Sequence, residues 1–95
     1  MRVRDRLAYL SERLADSQAN LRITEEQHAY QVEVVDDLRA RMLVAETPLA
    51  DREFRVARDD LERLRRNLGE ARTEVEELQA ERDRLLDQLL EEMRS

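Results

Sequence analysis

A Thr47-Pro48 pair sits almost at the centre of a chain that otherwise interleaves apolar and charged residues at helical spacing. Proline lacks a backbone N–H and pushes the residue before it toward extended conformations, so a helix does not run through that step unbroken. The same residue suits the first position of a new helix. Uninterrupted, the chain would be a rod of about 140 Å at 1.5 Å per residue. Interrupted, it is two arms of about 65 Å that can fold back on each other.

The heptad pattern supports the interruption. With Leu7 at position a, the first seam runs Val3, Leu7, Leu10, Leu14, Ser17, Leu21, Thr24, His28, Gln31, Val35, Leu38, Met42, Ala45. Its ends are apolar and its middle, Ser17 to Gln31, is polar. The second seam runs Phe54, Ala57, Leu61, Leu64, Leu68, Ala71, Val75, Leu78, Arg82, Leu85, Leu89. It is stronger, with one charged layer at Arg82, and Leu86, Leu90 and Met93 widen it at the end. Apolar a and d positions sustained over several heptads specify a coiled coil. The two seams are out of phase. Extending the first through Pro48 gives Leu49, Arg52, Val56, Asp59 and Arg63, which is not an apolar stripe. Thr47 is a good N-cap, and Asp51 and Glu53 favour the positive end of a helix that starts there. The spacing predicts helix over about 3–44, a turn at 45–47 and helix over about 48–93. Gly69, at an outward position, leaves the heptad intact. The short connection makes the helices antiparallel neighbours. The expected fold is an all-α, two-helix antiparallel coiled-coil hairpin spanning 1–95 as one domain, pairing into a four-helix bundle dimer. With the turn near residue 46, flanking pairs such as Arg13 with Glu81 and Arg41 with Glu53 are opposite in sign; Arg39 with Arg58 is not.

Composition decides several function classes. With charged residues at 42% and aromatics at 3% of 95 residues, the chain lacks the bulk for a layered globular core. All 17 basic residues are Arg, which suggests a GC-rich, bacterial genome. The net charge of −6 argues against a phosphate-binding footprint, so nucleic acid is not an expected partner. No apolar run approaches about 18 residues, so no membrane insertion is expected. The opening Arg-rich segment lacks the apolar core of a signal peptide, and the absence of Cys suits the cytoplasm.

Three features bear on function. A second apolar line lies off the seam of the first helix, with Tyr9, Ile23, Tyr30 and Val44 at c positions and Val32 and Val34 beside it. One hairpin cannot bury both lines, so this one is expected to dock another copy or a partner helix. The turn carries Glu46, Leu49, Asp51, Glu53 and Phe54. Its acids could enter a cleft of a large machine such as RNA polymerase or the ribosome, and Leu49 and Phe54 could serve as a contact knob. Glu25 and His28 have the Glu-x-x-His spacing that ferritin-like di-iron bundles place on one helix face. The seam positions expected opposite, Leu64, Leu68 and Ala71, offer no carboxylate, which leaves that ligand set incomplete. No nucleophile–base pairing stands out. The expectation is a non-enzymatic assembly or adaptor protein, without cofactor, forming a homodimer or higher homo-oligomer. A partner protein would meet it through the outer face of the first helix or the hairpin tip.

Overall fold

The computed structural model describes residues 2–94 and consists of two α-helices that pack against each other, α1 (Val3–Ala45) and α2 (Pro48–Arg94). α2 gathers its apolar residues on one side; α1 spreads them around its circumference. The difference follows from sequence: α1 carries the c-position line as well as a seam, and the middle of that seam is polar.

The break between the helices is built by local chemistry. The Glu46 N–H donates to the Met42 carbonyl at 3.1 Å, and Glu46 itself takes the left-handed conformation, φ 51°. That geometry is a common way to end a helix, although glycine is its usual occupant. Thr47 then caps α2: its Oγ1 accepts from the Ala50 N–H at 3.2 Å, and its carbonyl accepts from the Asp51 N–H at 3.1 Å. Pro48 fills the first helical position, where its missing N–H costs nothing.

The described residues group into two compact units. One, the terminal unit, joins residues up to Leu21 with those from Glu70 onward; the other, the turn unit, is Arg22–Gly69. In the terminal unit, Leu10, Leu14 and Ser17 of α1 and Ala71 and Val75 of α2 are buried. Leu7, Leu21, Leu78, Leu85 and Leu89 are half-buried beside them. Two ion pairs close the edge of this seam. Arg6 pairs with Glu81, and Arg13 Nη2 lies 3.1 Å from Glu74 Oε1. The sequence reading matched Arg13 with Glu81; the structure moves it one heptad along α2. Glu74 and Glu81 repeat on the same edge one heptad apart, so Arg13 meets an acid in either register, and sign alone does not choose. Arg82 is half-buried, with its guanidinium 3.7 Å from Asp83.

In the turn unit, Thr24 and Val35 of α1 and Ala57 and Leu68 of α2 are buried. Leu38, Phe54, Leu61 and Leu64 are half-buried, as are His28 and Gln31. Gln31 reaches across to donate from Nε2 to the Ala57 carbonyl at 3.0 Å. A polar layer of this kind favours one register over its neighbours, because a slipped partner would leave the amide unpaired. Among the described residues, no buried side-chain nitrogen or oxygen lacks a hydrogen-bond partner.

Candidate functional site

Two sides of the turn unit differ in what covers them. On one, Phe54 is half-buried, and the guanidinium carbons of Arg39 and Arg58 each lie 5.7 Å from its ring centroid. Both arginines are within cation–π range of one aromatic face system, which accounts for the like-charged pair that the sequence left unexplained. Phe54 is therefore engaged within the unit.

The other side is an open groove between the helices. Towards the turn it is lined by Ala40, Arg41, Val44, Ala45, Thr47, Leu49, Ala50 and Glu53. Further along it is lined by Tyr30, Val34, Leu38, Arg52, Glu53, Val56 and Asp60 among others. Glu53 belongs to both stretches. Along α1 the lining residues Tyr30, Val34, Arg41 and Val44 recur at three-, four- and seven-residue steps, which keeps them on one side of a helix. On α2, Leu49, Glu53, Val56 and Asp60 do the same. The apolar members stand well out of the protein: Tyr30 is 68% exposed, Val44 86%, Leu49 62% and Val56 56%. Val34, Leu38 and Ala50 are half-buried. Arg41 and Glu53, opposite in sign, both line this groove.

The residues expected on the second stripe are thus divided. Ile23, Tyr30, Val34 and Val44 fall in the turn unit, and Tyr9, 52% exposed, falls in the terminal unit. Leu49 and Glu53 were expected at the tip; what the sequence reading missed is that they share one wall with Arg52, Val56 and Asp60 of α2. Val56 and Arg52 entered that reading only as an out-of-phase continuation of the first seam. Those out-of-phase residues, with Leu49, are the ones that build the α2 wall of the groove. The signal was present: Leu49 and Val56 are one heptad apart on the flank of a stronger seam.

The acids at the turn are placed differently from one another. Glu46 closes α1, Glu53 lines the groove, and Asp51 lies exposed in the first turn of α2. The arginines of α2 are largely engaged along their own helix. Arg65 donates to Glu62 from Nε at 3.0 Å and from Nη2 at 2.7 Å, Arg66 lies 3.7 Å from the same carboxylate, and Arg63 lies 3.7 Å from Asp60. The hydrogen bonds from Arg65 hold the Glu62 carboxyl below its ordinary range, helped by the charges of Arg65 and Arg66.

Among the described residues, no group of three or more His, Cys, Asp or Glu is arranged to hold a metal ion. Glu25 and His28 stand one turn apart on α1 without a third ligand. Among the described residues, no helix is long and apolar enough to cross a membrane. Comparison with protein-family models, with curated proteins and with solved structures found no match.

Proposed function

We propose that this chain is a non-enzymatic assembly or adaptor protein that acts by docking helices against the open groove of its turn unit. One observation carries the reading: Tyr30, Val44, Leu49 and Val56 are exposed on one side of a short helical pair. Water-facing apolar side chains scattered singly need no explanation; a continuous row of them on two adjacent helices marks an interaction surface. A docked pair of helices would complete a four-helix bundle over this segment. Arg41 and Arg52 on one hand, and Glu53 and Asp60 on the other, rim the row and would set the orientation of what docks.

Site-specific photocrosslinking in cells tests it. A photoreactive side chain at Val44 should give a defined crosslinked product, and the same group at Arg58, on the Phe54 side, should not. Crosslinking of equal yield from both positions, or none from Val44, would remove the reading.

A further inference from the structure

Resting on that reading, we propose that the occupant of the groove is a second copy of this chain, lying antiparallel, with the two-fold axis passing at Val56. The argument is one of spacing and charge. Arg52 and Asp60 both line the groove, opposite in sign and four residues either side of Val56. Val34 and Leu38 of α1 line the same stretch of groove as Val56. A two-fold axis through Val56, crossing both helices in the plane of the face, brings these opposite charges together. It lays α1 over α1 and α2 over α2, each pair antiparallel. The two Val56 side chains then meet. Each Arg52 faces the partner's Asp60.

An isologous interface requires this kind of self-complementarity, in which residue i meets j while j meets i. The parallel alternative, with the axis along the helices, sets α1 over α2. Arg41 and Arg52 stand at similar distances from the turn, so it would oppose them twice across the interface. Like charges juxtaposed in an interface are strongly unfavourable. Asp60 also lies 3.7 Å from Arg63 of its own helix, with half of its side chain exposed. An exposed pair of that length is weak and leaves the carboxylate able to accept from a second arginine. With the axis at Val56, the two copies overlap from one turn to the other. That footprint is about 27 Å long and about 20 Å wide, two helices abreast. Counted on both copies it is on the order of 1,000 Å², the lower end for a specific interface, so the dimer should dissociate on dilution.

Sedimentation equilibrium over a wide concentration range tests the arrangement, using the wild-type chain, Arg52→Glu, Asp60→Arg and an equimolar mixture of the two variants. Circular dichroism checks that each variant retains its helicity. The wild type should approach twice the 11.3 kDa chain mass. Each variant alone places like charges at both symmetric contacts and should associate at least about tenfold more weakly. The mixture should recover association to within about threefold of wild type, because a heterodimer restores an opposite pair at each contact. Variants that associate as well as wild type, or a mixture that does not recover, would overturn the antiparallel arrangement. A wild type that stays at 11.3 kDa throughout would overturn the second copy as occupant. In that case a photocrosslink from Val44 to a different protein would still leave the docking face standing.

Discussion

The terminal unit and the turn unit are built from the same two helices, yet they finish their surfaces in different ways. In the terminal unit the seam is edged by ion pairs that run between helices, Arg6 with Glu81 and Arg13 with Glu74. In the turn unit the recorded ion pairs run along α2 alone, Asp60 with Arg63 and Glu62 with Arg65 and Arg66. Its cross-helix contacts include a glutamine-to-carbonyl hydrogen bond and the cation–π approach of Arg39 to Phe54. The groove side of the turn unit carries a row of apolar side chains with charges at its rim. The comparison separates two uses of one pattern. Charges on the flanks of a seam hold a helix pair in orientation, whereas apolar flanks leave room for further helices.

The largest expected effects come from the buried leucines. Leu14→Ala in the terminal unit and Leu68→Ala in the turn unit should each cost about 2–5 kcal/mol if the site does not collapse. Denaturant titration followed by circular dichroism would show it as a lower midpoint at similar slope. If only one of the two changed the midpoint, the units would not share a common level of packing, and the comparison would need recasting.

The turn comes next. Thr47→Ala removes the oxygen that caps α2 and should cost about 1 kcal/mol. Glu46→Gly should move the other way, adding up to about 1 kcal/mol, because glycine occupies the left-handed region without a Cβ penalty. A Glu46→Gly chain that melts lower than wild type would mean the glutamate makes a compensating contact.

The ion pairs are smaller. Glu74→Gln should lower stability by no more than about 1 kcal/mol, and the loss should shrink with added salt, since both partners are about half exposed. Smallest is the acid response of Glu62. Its folded-state pKa lies below the ordinary value, so its contribution is present above the unfolded pKa and is lost as pH falls through the depressed folded one. Glu62→Gln should flatten the low-pH end of the stability profile slightly. A steeper acid limb in that variant would contradict the sign.

Much of the fold was legible because heptads carry it. The phase break across Thr47-Pro48 located the turn, and the helices begin and end within a residue of the expected limits. The left-handed Glu46 was not legible, since nothing in its side chain announces a residue that usually gives way to glycine. The salt-bridge register was illegible for another reason: a seven-residue repeat of acids presents the same choice twice. The groove was half visible. Tyr30, Val34 and Val44 declared themselves by spacing on α1. On α2, Leu49 was expected only as part of the tip and Val56 was hidden, because a strong seam masks a short second stripe beside it. Which residues of the two helices share a side depends on how the helices rotate against each other, and periodicity within one helix does not contain that.

The most direct measurement uses the absence of cysteine from the native chain. Val56→Cys puts a single thiol at the proposed two-fold axis, and Arg55→Cys puts one at the neighbouring position, turned about 100° away around the helix. Under mild oxidation at equal concentration, the Val56→Cys chain should convert to a disulfide-linked dimer much faster than the Arg55→Cys chain. Equal rates for the two, or faster linkage through Arg55→Cys, would contradict a dimer formed through the groove.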